Sequence, residues 1–262
     1  MKKTLLFSLL TAALFAGAAQ ADDVKTKVSG SYDHTNYSDN FGHRDVVGVE
    51  ASFDAGNTTF VVSGERGVRD YGPGFRFDSN RISGTVYHDW NSRLSTKTWA
   101  KFAGDTPVFA KREYGHDFIL KVRPGTNVVL GAKKTEYFGG QDANSVAIGA
   151  QQYFKRGYVG YRYTHNDMRF GDNTHSHLLT GRLNDASGEG FTQAWYGQGT
   201  SVMDYDWTPV VAKGKQRGFA VARSQPLNEN WSVDVNVGHQ HFDTLLGDYS
   251  GTKAGVGVTY KF

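Results

Sequence analysis

Trp231, Val233, Val235 and Val237 alternate with Ser232, Asp234, Asn236 and Gly238, and this two-residue rhythm recurs along the chain. Val47, Val49, Ala51 and Phe53 alternate with Gly48, Glu50, Ser52 and Asp54; Val146, Ile148 and Ala150 with Ser145, Ala147 and Gly149. Successive side chains of a strand point to opposite faces, so a period of two makes each stretch a strand with one apolar face, and excludes an amphipathic helix. The sequence ends on the same rhythm, with Val256, Val258, Tyr260 and Phe262 on one face. A strand alternating up to its last residue is expected to be paired rather than frayed.

Hydropathy alone points to a soluble protein: mean hydropathy is −0.50, and after residue 21 no apolar stretch is long enough for a spanning helix. The aromatic and glycine content points elsewhere. With 14 Tyr, 17 Phe, 5 Trp, 32 Gly and only 5 Pro, the composition suits a transmembrane β-barrel, in which only every second residue meets lipid and average hydrophobicity stays low. Residues 1–21 read as a secretory signal peptide: Lys2 and Lys3, an apolar run, then Ala19-Gln20-Ala21. Export by the Sec route is expected, leaving one barrel domain over 22–262. Without the two signal lysines, 27 basic residues face 26 acidic ones. No basic stripe remains to suggest a nucleic-acid partner. Cysteine is absent, which excludes disulfides, a thiolate nucleophile and Cys-ligated zinc.

The connections have an order. Short turns are expected at 55–57, 90–92, 123–126, 155–157, 185–188 and 226–229. Longer polar segments are expected near 36–44, 70–75, 104–109, 138–143, 166–175, 200–214 and 243–250. The two kinds alternate, giving about fourteen strands, with twelve or sixteen reachable by merging or splitting one hairpin. The expected fold is therefore all-β: an up-and-down antiparallel transmembrane β-barrel with short turns at one rim and longer loops at the other. Closure would pair the last strand with the first.

Several stretches resemble the YaiO family of outer-membrane β-barrels: "YDHTNYSDNFGHR" from Tyr32, "DTPVFAKREYGHD" from Asp105, "YRYTH" from Tyr161, "RLNDASGEGFTQAWYGQGT" from Arg182, "DYDWTP" from Asp204, and "DYSG" from Asp248 leading to "TYKF". The resemblance runs over nearly the whole mature chain and implies a Gram-negative outer-membrane location. Its expected partners are outer-membrane lipids and lipopolysaccharide, and the barrel-assembly machinery during biogenesis. The terminal Val256, Val258, Tyr260 and Phe262 look like the signal that this machinery reads. The family brings no catalytic residues to transfer.

If the Val and Phe faces meet lipid, the opposite faces line the lumen. The expected lumen candidates are Lys97, Lys101, Glu113, Asp117, Lys121, Arg162 and Arg182, within a larger inward set of both signs. Charges that solvate or brace the lumen are the blander reading and stand above a dedicated substrate track. His165, His175 and His177 have the chemistry of a base or a metal site, but His175 and His177 are in phase with outward Leu179 and Leu183, so interfacial histidine is the stronger reading. Asp204, Tyr205, Asp206 and Trp207 form a loop that could contact a saccharide or pack across the mouth. No catalytic residue, metal or cofactor is expected. The leading function is a porin-like or export-like conduit for small hydrophilic solutes or saccharides. A closed structural barrel is the rival, and a barrel hydrolase a weaker third.

Overall fold

The computed structural model describes residues 25–72, 74–169, 172–200, 214–244 and 247–262. The expected signal segment and the loop carrying Asp204, Tyr205, Asp206 and Trp207 lie outside the described residues. The strands begin with β1 (Lys25–Tyr37), β2 (His43–Ala55), β3 (Thr58–Asp70), β4 (Arg76–Asp89) and β5 (Leu94–Ala103). They continue with β6 (Arg112–Arg123), β7 (Thr126–Glu136), β8 (Asp142–Phe154), β9 (Gly157–Met168) and β10 (Thr174–Asn184). β11 (Phe191–Gly199), β12 (Lys215–Pro226), β13 (Trp231–Thr244) and β14 (Gly247–Lys261) complete the set. Each strand is antiparallel to both neighbours, and β1 pairs with β14, so the fourteen strands form a closed barrel.

Closure satisfies the backbone of the terminal strand. Tyr32 lies opposite Val256 and Val28 opposite Tyr260. The Phe262 amide donates to the Thr26 carbonyl at 3.0 Å and the Lys261 amide to the Asn230 carbonyl at 2.8 Å. A closed ladder leaves no strand edge to aggregate or to meet lipid unpaired.

Inside and outside follow from one pair of residues. Asp117 on β6 and Arg162 on β9 are joined by two hydrogen bonds of 2.9 Å, and side chains three strands apart meet only within the curve of the sheet. The register carries that parity around the ring. Val47, Val146, Ile148, Leu179, Phe219, Val237 and Val256 then face out, and all are solvent-exposed, Val146 by 60%. A continuous apolar band of this kind is far larger than a soluble monomer tolerates; it is a lipid-facing belt. At the turn rim the belt ends in Trp231, Tyr260 and Phe262, whose rings pack at 4.8 Å spacings, as aromatic side chains do at a membrane interface.

Loop lengths differ from the sequence expectation at two places. β13 runs to Thr244 and β14 begins at Gly247, so the expected long loop at 243–250 is mostly strand. Its polar residues look like a loop because they lie beyond the apolar belt, where a strand carries Asp and Ser without cost. Conversely, the connection at 185–190 is longer than the expected tight turn. It is fastened by Arg223, which donates to both carboxylate oxygens of Asp185 at 2.7 and 2.6 Å. That guanidinium holds the Asp185 carboxyl below the usual carboxylate range.

Candidate functional site in the barrel lumen

The lumen has two unlike walls. From β3 to β9 it carries charge, and the charges are laced together across strands. Arg81 grips Glu65 through two hydrogen bonds of 2.5 and 2.8 Å. Glu113 receives Lys101 Nζ at 2.8 Å, Lys133 Nζ at 3.5 Å and the Trp99 indole N–H at 2.7 Å. Glu113 and Asp117 are both nearly buried, which is tolerable for carboxylates only because each is paired and hydrogen-bonded. The Asp117–Arg162 bridge passes over Gly131, where a Cβ would overlap Asp117 Oδ1 and stand 2.5 Å from Arg162 Nη2. A side chain there would separate the pair.

The other wall is richer in small residues. Gly197, Gly218, Ala220, Ala222, Gly238 and Gly251 line it on β11 to β14, with Trp195, Asn236, Gln240 and Lys253 standing among them. Between the walls lies a cavity of about 560 Å³. Its charged lining consists of Arg44, Arg81, Lys101 and Lys253 against Asp33 and Glu65. Cations outnumber carboxylates in this lining by two, and by one when Glu113, the partner of Lys101, is counted with it.

The structure places every lumen candidate on the inward parity. Lys97 lies opposite Asp117, and Lys101 opposite Glu113. Lys121 pairs with Asp89 at 3.5 Å near the turn rim. Lys97 has no carboxylate at ion-pair distance among the described residues; its ammonium lies 5.6 Å from the Tyr87 ring and 5.0 Å from the Trp99 ring. Arg182 donates to Asn184 Oδ1 at 2.9 Å and covers the Phe191 ring at 3.6 Å. Lys101, Glu113, Asp117 and Arg162 thus belong to the lattice, while Lys97 and Arg182 stand outside it.

The segment that narrows the lumen is one that the sequence marks only as a longer polar connection near 104–109. The connection at 104–111 folds inward, and its Val108 and Phe109 are 1% and 2% exposed. They rest on Gly67, where a Cβ would come within 2.6 Å of Phe109 and 2.7 Å of Val108. The Phe109 ring lies between two guanidiniums, 4.4 Å from Arg81 and 5.2 Å from Arg44, and Arg44 Nη2 donates to the Val108 carbonyl at 3.2 Å. The available signal was an apolar pair after Pro107 in an otherwise polar loop. A second constriction lies at the loop rim. Arg69 donates to the carbonyls of Phe41, His43 and Asp70 and sits between the Tyr37 and Tyr71 rings. Tyr249 stacks on Phe41 and Phe242 beside it.

All nine histidines lie on the outward parity. His165 and His175 face one another across β9 and β10, on the outer surface, so the hydrolase reading finds no imidazole base in the lumen.

Fold, lipid-facing belt and lined lumen define an outer-membrane β-barrel. The family model of the YaiO membrane beta barrel domain matches residues 25–204, and the chain belongs to that family. Among solved structures the barrel is similar to the CymD monoaromatic hydrocarbon channel (TM-score 0.59, 9% identity, 94% of this chain and 90% of that one). It is also similar to an anion-selective porin from Comamonas acidovorans (TM-score 0.49, 13% identity, 91% and 98%) and to OpdQ of Pseudomonas aeruginosa (TM-score 0.49, 9% identity, 92% and 100%). At these identities the likeness shows the fold alone.

Proposed function

We propose that the barrel is a conduit for small hydrophilic solutes, biased toward anions, with saccharides within its range. The observation that carries this reading is the cavity of about 560 Å³ between a charged wall and a wall rich in Gly and Ala. A lumen meant only to be filled would place large side chains opposite the charges. The excess of cations around the cavity favours anions by lowering their energy along the path. Trp195 offers an apolar ring on which a sugar face can stack, and Tyr205 and Trp207 extend that proposal to the loop at 200–214.

One observation favours a second reading. Phe109 is seated between Arg44 and Arg81, and a loop so well packed can seal the lumen and leave a structural barrel. Liposome swelling separates the two: vesicles containing the folded protein should swell in isotonic glucose at a rate that rises with protein content. No swelling above protein-free vesicles would remove the conduit and leave the closed barrel.

A further inference from the structure

The outward histidines are not scattered. All but His88 lie toward the loop rim, and His165, His175, His177, His239, His241, His34 and His43 fall on the arc from β9 through β14 to β2. Within this arc the ladder aligns one transverse row: His177 faces Gln198, Gln198 faces Arg217, and Arg217 faces His241. Neighbouring positions in such a row are about 5 Å apart, so His241 stands directly beside Arg217, while His177 lies two positions away across Gln198. Two residues nearer the turn rim the row becomes Leu179, Tyr196 and Phe219, with His239 opposite Phe219, the upper edge of the apolar belt. The polar row therefore lies at headgroup level, directly above the acyl chains.

Each imidazole is aimed. His177 Nδ1 is 2.7 Å from the Tyr161 hydroxyl and His241 Nδ1 is 3.1 Å from the Ser250 hydroxyl. A hydroxyl that donates to Nδ1 leaves the ring proton on Nε2, so the neutral ring still presents a donor outward. Arg217 is exposed and has no carboxylate at ion-pair distance among the described residues. Asp243 and Asp248 lie one row further toward the loop rim, their carboxylates and a His241 ring nitrogen within 4.8 Å of one another, and Lys215 stands opposite Asp243.

We propose that Arg217, His177 and His241 form a docking site on the outer wall for the phosphate of a lipid headgroup in the surrounding leaflet. A guanidinium with His241 beside it and His177 across Gln198 offers the phosphate oxygens a fixed positive charge and outward N–H donors. The Tyr196 and Phe219 side chains beneath it receive the first carbons of the acyl chains. The same arrangement is absent on β6 and β7, where outward Arg112 faces Glu136 at 3.4 Å and Lys134 faces Asp142 at 4.0 Å.

The test uses the full mature protein in detergent, titrated with diphosphoryl lipid A or with the same lipid stripped of its phosphates, and counts bound lipid by native mass spectrometry. One phosphorylated lipid should be retained where the stripped lipid is not. Combining Arg217→Gln, His177→Gln and His241→Gln should weaken retention at least tenfold. The matched set Arg66→Gln, Arg112→Gln and Lys134→Gln should leave it unchanged. Folding of each variant is checked by its mobility on an unheated gel, and Arg217→Gln alone, which alters no ladder bond, should give a several-fold loss. Equal retention of the two lipids, or equal losses from both variant sets, would overturn the site. Neither result depends on whether the lumen conducts.

Discussion

Single residues decide whether the lumen lattice can form. Asp117 and Arg162 meet only because Gly131 leaves their path open. Gly131→Ala should separate them and strand a nearly buried carboxylate. Removing one partner of a buried pair costs roughly 3–5 kcal/mol; Arg162 remains 30% exposed, so a loss of about 1–3 kcal/mol is expected here. It would appear as a lower temperature for conversion to the unfolded gel band. Gly181→Ala, whose Cβ would meet nothing closer than Val159 at 4.0 Å, is the control, and equal effects of the two changes would contradict the lattice. The inward parity of Asp117 and Arg162 was legible in the sequence from the alternation. Their partnership was not, because nothing in a linear pattern states that a side chain reaches over two intervening strands.

At the scale of elements, the connection at 104–111 and the terminal strand carry separate expectations. If the protein conducts, Phe109→Ala should enlarge single-channel conductance, since it removes the ring held between Arg44 and Arg81. Unchanged conductance in a folded variant would show that the narrow point lies elsewhere, with the Arg69 and Tyr37 cluster the next place to look. β14 bears on biogenesis. Phe262→Ser removes a ring packed on Tyr260 but leaves the Phe262 amide free to bond Thr26. A fall in assembled barrel with normal signal cleavage is therefore expected if the aromatic end is read by the assembly machinery. Unaltered assembly at native expression would count against that role. Strands were readable because their period is local and repeated fourteen times. The inward fold of the 104–111 loop was not, since its conformation depends on Gly67, Arg44 and Arg81 from other strands. The small wall shows the same limit: Gly197, Gly218, Gly238 and Gly251 are visible as inward positions one by one, and become a wall only when closure sets β11 to β14 side by side.

The whole molecule has a direction and a field. If the loops lie outside the cell, as the sequence expectation has it, cysteine placed at Asn173 should react with an impermeant reagent on intact cells, while cysteine at Asn57, in a tight turn at the opposite rim, should not. The reverse pattern would invert the topology. Field and direction together define the conduit, and the cations free of the lattice are the handles on it. Lys101 is a poor choice for charge reversal because it neutralises Glu113, whereas Lys97 and Arg182 have no carboxylate at ion-pair distance among the described residues. The most direct measurement is the reversal potential in a planar bilayer under a potassium chloride gradient, for the native barrel and for Lys97→Glu combined with Arg182→Glu. The native barrel should pass chloride in preference to potassium, and the double variant should shift toward potassium. A folded native barrel that is silent would contradict the conduit, and one that conducts with a preference for potassium would contradict its bias toward anions.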